Sequence, residues 1–230
     1  MSIYTLGDLH LSLSTDKPMD IFPGWGDYIP KIKANWEQII KPEDTVVIPG
    51  DVSWAMGLAQ CEKDFAFIND LPGQKILLKG NHDYWWSTKR KMDDFLAEKG
   101  FHTIKIISNN SYVCEGVNIC GTRGWFTEEG GKGEHDDLIR AREIGRLKMS
   151  LDTCDKDLEK IVFLHYPPIY RDFFSRETID VLHQYGVTQC YYGHIHGKGI
   201  RFAFEGDFEG ITFHLVSGDS VGFVPVLVKE

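Results

Sequence analysis

Five short stretches of the chain carry side chains able to ligate metal ions. They read Gly7-Asp8-Leu9-His10, Gly50-Asp51, Gly80-Asn81-His82-Asp83, His165 and Gly193-His194-Ile195-His196. Together they offer the carboxylates of Asp8 and Asp51, the amide of Asn81 and the imidazoles of His10, His165, His194 and His196, with His82 alongside and no thiolate. Such a mixture of oxygen and nitrogen donors suits borderline or hard divalent ions such as Mn, Fe or Zn. Two ions of that kind held side by side are a standard means of displacing oxygen at phosphorus. The pattern therefore predicts a hydrolase of phosphoesters.

Each stretch follows an apolar run. Ser2 to Leu6, Thr45 to Ile48, Lys75 to Leu78, Lys160 to Leu164 and Gln189 to Tyr192 read as strands. Ligands bind in the crevice at the carboxyl ends of strands in open α/β sheets, so groups remote in sequence can converge there. Glycine precedes Asp8, Asp51, Asn81 and His194, which allows a sharp exit and a close backbone approach. The i, i+2 spacing of Asp8/His10 and His194/His196 predicts two side chains on one side of an extended segment.

Between the strands, Tyr28 to Ile40, Leu58 to Leu71, Ser87 to Lys99, Asp136 to Leu151 and Ser175 to Tyr185 read as helices. Ser87 or Thr88 could cap the third, and Gly100 would end it. Thr103 to Ser108, Ser111 to Glu115 and Val117 to Cys120 predict a meander. Ile200 to Phe204, Ile211 to Val216 and Val221 to Val228 predict closing antiparallel strands. The result is an α/β chain of two packed mixed sheets flanked by helices. With no repeat and no obvious linker, residues 1–230 are expected to form a single domain. Glu128 to His135, rich in glycine, is expected to be a mobile loop.

Composition narrows the setting. A chain of 230 residues, 42% hydrophobic and 26% charged, suits a soluble globular protein with a substantial core. The formal charge of −9 gives no basic footprint for duplex nucleic acid, so a nucleic-acid partner is not expected. Five scattered cysteines without CxxC spacing suit a reducing compartment and buried thiols. No segment approaches the roughly 20 apolar residues of a membrane span. The first candidate ligand, at position 8, leaves no room for a signal peptide, and a cytoplasmic location is expected.

The ordered set resembles the calcineurin-like metallophosphoesterases, whose blocks are Asp-x-His, Gly-Asp, Gly-Asn-His-Asp/Glu, a lone His and Gly-His-x-His. All five occur here in order, from Asp8 to His196. The resemblance implies a four-layer αββα sandwich. It implies two divalent ions, one held by Asp8, His10 and His196, the other by Asn81, His165 and His194, with Asp51 bridging. A water between the ions would lose its proton near neutral pH and attack phosphorus. Two divalent ions outweigh Asp8, Asp51 and a hydroxide, leaving a net positive centre that attracts phosphate. His82 would stabilise the transition state or protonate the leaving oxygen, with Asp83 orienting its ring and favouring the protonated form.

Other residues carry weaker signals. Arg123, at the exit of a further strand, could bind a substrate phosphate or simply pair with nearby acids. Trp54, Trp85, Trp86 and Trp125 could wall a ring-bearing leaving group or pack as ordinary loop residues. Arg140, Arg142 and Arg146 read as a solvated helix face, and His102, His135, His183 and His214 as rim or core residues. Phosphoprotein phosphatases of the resembled family continue their second block Gly-Asp-x-x-Asp-Arg-Gly, whereas this chain reads Gly50-Asp51-Val52-Ser53-Trp54-Ala55-Met56-Gly57. Lipid A-pathway UDP-sugar pyrophosphatases carry arginine where His82 stands. A small-molecule phosphomonoester or phosphodiester fits best as substrate. The alternatives are a protein phosphatase, a nuclease, or a silent scaffold for protein contacts on the same fold.

Overall fold

Apolar runs alternate with amphipathic stretches along the chain, and the structure turns that alternation into layers. The computed structural model describes residues 1–126 and 134–230. The chain first lays down β1 (Ile3–Thr5), α1 (Tyr28–Ile39), β2 (Thr45–Ile48), α2 (Glu62–Asp70), β3 (Gln74–Leu77), α3 (Lys89–Lys99) and β4 (Ile104–Ile106). There follow β5 (Tyr112–Cys114), β6 (Val117–Thr122), α4 (Glu134–Asp152), β7 (Glu159–Leu164), a short hairpin of β8 (Ile169–Tyr170) and β9 (Phe173–Phe174), and α5 (Arg176–Gln184). Last come β10 (Gln189–Tyr192), β11 (Gly206–Phe208), β12 (Ile211–Leu215) and β13 (Val226–Lys229).

Two main sheets result. The first runs β13-β1-β2-β3-β4 and the second β11-β12-β10-β7-β6-β5. Strand alternation sorts their side chains to two faces. Val46, Ile48 and Leu77 turn outward to Ile32, Trp36, Phe65, Ile68, Met92 and Leu96 of α1, α2 and α3. Val47, Ile76 and Leu78 turn inward and meet Ile119, Ile161, Phe163 and Tyr191 of the second sheet. On the far side Val162, Leu164, Cys190 and Tyr192 pack against Leu147, Leu151, Ile179 and Leu182 of α4 and α5. Helices, sheet, sheet, helices make the four-layer αββα sandwich. Burial on both faces explains why the central strands read as continuous apolar runs rather than alternating ones.

Local signals set the helices. Tyr28, Ile32 and Trp36 form a buried i, i+4 stripe on α1. Thr88 caps α3 by accepting from the Lys91 N–H, and Ser175 caps α5 by accepting from Thr178. Lys75 is wholly buried in β3, and its ammonium donates to the carbonyls of Asn69, Leu71 and Gly73 at the end of α2. The helix expected over Leu58 to Leu71 opens instead as a 3₁₀ turn, Leu58–Cys61. No helix among the described residues is long and apolar enough to cross a membrane.

Three expectations are corrected. The meander does not form, because β4 pairs parallel with β3 in the first sheet while β5 and β6 form a hairpin in the second. Helix α3 makes a crossover between β3 and β4, which is what a parallel pair requires. The closing strands do not form one sheet either: β12 runs parallel to β10, and β13 returns to the first sheet antiparallel to β1. The strand expected at Ile200 to Phe204 is largely a 3₁₀ turn, Gly197–Phe202, closed by bonds such as Gly199 N–H to the His196 carbonyl at 2.9 Å. The mobile loop expected over Glu128 to His135 lies outside the described residues but for its last positions, which begin α4.

Candidate metal centre

Strands β1, β2 and β3 run parallel in the first sheet, as do β7 and β10 in the second, so each group delivers its carboxyl ends together. Beyond those ends two clusters form. Ligand atoms of Asp8, His10 and His196 lie within 4.8 Å of one another, as do those of Asp51, His165 and His194. Asp51 Oδ2 is 3.6 Å from His10 Nε2 and 3.5 Å from His165 Nε2, so a single oxygen faces both clusters. Asn81 Oδ1 joins the second at 2.6 Å from His165 Nε2. Asp8 Oδ1 lies 3.3 Å from His196 Nε2.

This set fits divalent cations. His10 and His196 bring their Nε2 atoms to 3.4 Å of each other, so both nitrogens could serve one ion between them. Asp8 and Asp51 are 0% and 1% exposed, a costly place for carboxylates unless they are paired or bind metal. The ionisation pattern agrees for three of the four rings, while His196 is raised to about 10 against burial by Asp8 and Asp219. Burial lowers His10 to about 3 and His194 to about 4, and holds His165 well below its ordinary range. These rings are therefore neutral, the form that binds metal. Burial, with Asp83 and Asp8 nearby, pushes Asp51 well above the carboxylate range. Burial also works to raise Asp8, but the imidazoles of His196, His165 and His10 outweigh it and hold Asp8 below that range. A bound cation would favour the carboxylate at Asp51.

The exits do not continue as extended chain. Asp8, His10, Asp51 and His194 all have positive φ, at 57°, 44°, 49° and 72°. The expected extended i, i+2 arrangement is thus replaced by turned backbone, at a cost on the order of 1–2 kcal/mol per residue. Hydrogen bonds between exits hold it: Asp8 N–H to the Gly50 carbonyl at 3.1 Å and His10 N–H to the Asp51 carbonyl at 2.9 Å. The carboxylates also accept from backbone, Asp51 Oδ1 from His82 N–H at 2.8 Å and Asp8 from His194 N–H at 3.0 Å. Glycine is required at two of these approaches. A Cβ on Gly80 would strike the Asp51 carboxylate, and one on Gly193 that of Asp8.

Asp83 does something other than expected. Its Oδ1 accepts from the N–H groups of Val52 and Ser53, at 2.9 and 3.2 Å, and from Trp85 Nε1 at 2.9 Å. Its Oδ2 accepts from Gly80 N–H at 2.7 Å. Asp83 therefore ties the second and third exits together, because buried N–H groups freed at a strand end need an acceptor. It does not orient His82, whose Nδ1 is buried without a hydrogen-bond partner among the described residues. Trp54 packs on His82 instead, with ring centroids 4.3 Å apart, and burial lowers its basicity rather than favouring the protonated form.

Sequence reading missed Asp64, Trp25 and Asp219. Asp64 holds Ser53 Oγ and accepts from Leu13 N–H at 2.8 Å, pinning the first exit to the second. Its signal was a carboxylate on the face shared by Cys61, Phe65 and Ile68. Trp25 stands edge-on to His10 and His196, 5.5 Å from each. Asp219 Oδ1 lies 2.7 Å from His196 Nδ1. Gly218-Asp219 after the apolar run of β12 repeats the glycine–aspartate signature of the earlier exits.

Among the tryptophans singled out, Trp54 stacks on His10 at 5.1 Å, whereas Trp85 is buried against Phe65 in the first core and is no part of a wall. Trp86 packs on Trp85, and Trp125 on Tyr166, itself tilted over His194 at 4.4 Å. Arg123 closes β6, where its carbonyl accepts from His165 and Tyr166 N–H at 3.1 and 2.8 Å. Its guanidinium pairs with the buried Glu143 at 3.2 Å and lies over Trp125. Arg146 also reaches Glu143, at 2.6 Å.

Comparison with known proteins agrees with this geometry. The family model described as calcineurin-like phosphoesterase matches residues 1–198. The Gene 66 protein of Mycobacterium phage L5 is 26% identical over 137 residues, 48% of this chain and 66% of that protein, so the match spans just under two thirds of the relative. Among solved structures, the phosphopantetheinyl hydrolase PptH of Mycobacterium tuberculosis superposes with a TM-score of 0.59 at 13% identity, covering 99% of this chain and 95% of that one. TT1561 of Thermus thermophilus gives 0.55 at 13%, covering 99% and 97%. The purple acid phosphatase PPD1 of yellow lupin (Lupinus luteus) seeds gives 0.53 at 15%, covering 100% of this chain and 45% of its own. At such identities the structures show a shared fold. The family match, in contrast, takes in every converging candidate ligand from Asp8 to His196, and the chain belongs to the calcineurin-like phosphoesterase family.

Proposed function

We propose that this phosphoesterase works with two divalent ions, Mn, Fe or Zn, on a small-molecule phosphomonoester or phosphodiester. The observation that carries the reading is Asp51 Oδ2, which faces His10 on one side and His165 on the other at nearly equal distance. In this reading Asp8, His10 and His196 hold one ion, Asn81, His165 and His194 the other, and Asp51 serves both. Bound there, the pair would supply Lewis acidity toward a phosphoryl oxygen and a hydroxide formed near neutral pH. The buried carboxylates fix ligand positions in advance, so little reorganisation remains at the moment of reaction.

His82 protonates the leaving oxygen. Its unpartnered Nδ1 supports that role, and an arriving phosphate would raise the basicity that burial lowers. Arg123, beside His165 at the exit of β6, binds a phosphate oxygen while Glu143 holds one end of its guanidinium. The formal charge of −9 speaks against a nucleic-acid substrate. The free cysteines, most of them buried, support a reducing compartment such as the cytoplasm, and the shared middle layer supports one domain.

The test is metal analysis of purified protein, followed by hydrolysis assays on p-nitrophenyl phosphate and bis(p-nitrophenyl) phosphate with added Mn. Two ions per chain and Mn-dependent turnover of at least one ester are expected. Two bound ions with neither ester hydrolysed would favour the scaffold reading instead.

A further inference from the structure

We propose that Asp219 is a positioning residue for His196, so that the centre extends past residue 198, where the family match ends. Asp219 Oδ1 accepts from His196 Nδ1–H at 2.7 Å and Oδ2 from Gly197 N–H at 2.8 Å, with only 7% of the side chain exposed. Both carboxylate oxygens are thus engaged on one short stretch, which fixes the direction of the ring as well as its tautomer. A ring that keeps its hydrogen on Nδ1 would have an Nε2 lone pair to offer an ion shared with Asp8 and His10, which lie 3.3 and 3.4 Å from that nitrogen. A carboxylate behind a ligating histidine also strengthens it as a donor.

The turn that carries Asp219 is itself anchored to the site. Ser217 bridges to Gly7, the residue before Asp8. Ser220 N–H donates to the Ser217 carbonyl at 2.9 Å, and Phe223 N–H to that of Gly218 at 2.7 Å. Phe223 packs on Trp25 at 5.1 Å, and Trp25 in turn lies against His10 and His196. Moving the turn that carries Asp219 away from His196 would have to disturb this packing. His165 is supported differently, for its Nδ1 lies 3.1 Å from the neutral carbonyl of Pro49. The two rings therefore differ in what stands behind them, a carboxylate at hydrogen-bond distance for His196 and a backbone carbonyl for His165.

The inference rests on the reading that Asp8, His10 and His196 hold an ion, and the experiment separates the two. Mn is titrated calorimetrically into metal-free wild type, Asp219→Asn, His196→Ala and the double variant, with circular dichroism to verify folding. Asp219→Asn is expected to loosen one of two Mn ions by roughly 10–100-fold and to leave the other within about threefold. In the His196→Ala background the same change is expected to alter Mn affinity by less than about twofold, because Asp219 acts through that ring. Should Asp219→Asn fail to fold, Asp219→Glu, which keeps the charge with a longer reach, is expected to show a smaller loss confined to the same ion. Equal Mn affinities in wild type and Asp219→Asn, or an equal loss in the His196→Ala background, would overturn the proposal for Asp219 alone. A wild-type protein that takes up no Mn would overturn the metal-centre reading with it.

Discussion

The two sheets supply the centre with different chemistry. The first contributes Asp8, His10, Asp51 and Asn81, and so both carboxylates. The second contributes His165, His194 and His196, imidazoles only. Three of the first sheet's candidate ligands sit in left-handed backbone, against His194 alone among the second's. Neither sheet completes a cluster, since Asp8 and His10 need His196, and Asp51 needs His165 and His194. Ions bound there would join two sheets otherwise held face to face by an apolar layer. The strain is then concentrated where the charge is, and metal affinity would offset it.

Asp51 is the sharpest point at which to break this division, because its Oδ2 lies within 3.6 Å of a histidine Nε2 from each cluster. Asp51→Asn should weaken both ions and lower kcat/KM by roughly 10³-fold or more, since several kcal/mol of metal-borne stabilisation are lost at 1.36 kcal/mol per tenfold. Kinetics beside metal content check it, and two tightly held ions with kcat/KM within tenfold of wild type would contradict the shared role. His82→Ala asks the opposite question on the same sheet. It should keep both ions yet lose roughly 10²–10⁴-fold in kcat, as removal of a proton donor does. Unchanged kcat in the metal-loaded variant would remove His82 from the chemistry.

Chelation tests whether ions tie the sheets together. An ion at a hundredfold excess over its Kd adds about 2.7 kcal/mol to stability. For a chain of this size that corresponds to a Tm higher by roughly 5–11 °C per ion. Calorimetric scans with Mn and with a chelator measure it. Coincident Tm values would mean that the apolar layer alone carries the stability of the sandwich.

Most of this contrast was legible in the sequence, for a physical reason. The candidate ligands lie at the ends of β1, β2, β3, β7 and β10, where an apolar run meets Gly-Asp, Gly-Asn-His or His, and such a junction leaves a one-dimensional trace. The backbone at the junction leaves none. Asp8 and His10 are i, i+2 in either geometry, and only the contacts between exits select positive φ. Sheet membership was hidden in the same way: Ile104–Ile106 and Val226–Lys229 are ordinary strand sequences whose partners are chosen by crossovers. The role of Asp83 was misread because adjacency to His82 suggested a pair, whereas the buried N–H groups of Val52, Ser53 and Gly80 compete for the same carboxylate and win.

That competition gives the next test, smaller in effect. Asp83→Asn replaces an acceptor with an amide that cannot accept on both sides, leaving a buried N–H unpaired. A loss of about 1.5–3 kcal/mol in stability is expected, as for hydrogen bonds to charged groups, measured by urea denaturation. The pH dependence of kcat should keep its shape, because Asp83 holds backbone rather than the His82 ring. A shifted limb in that profile with unchanged stability would restore the pairing with His82.

Arg123 yields the smallest effect and bears on the second sheet, where it is the basic side chain at the exit of β6. Glu143 holds Nη2 at 3.2 Å and the guanidinium lies over Trp125, so the group is oriented before substrate arrives. Lysine cannot reproduce that fork or the stacking. Arg123→Lys should therefore raise KM by roughly 5–10-fold, about 1 kcal/mol of lost hydrogen bonding, with kcat within about twofold. Steady-state kinetics on the preferred aryl ester separate the two constants. An unchanged KM accompanied by a lower Tm would make Arg123 a partner of Glu143 and nothing more, with no part in holding the phosphate.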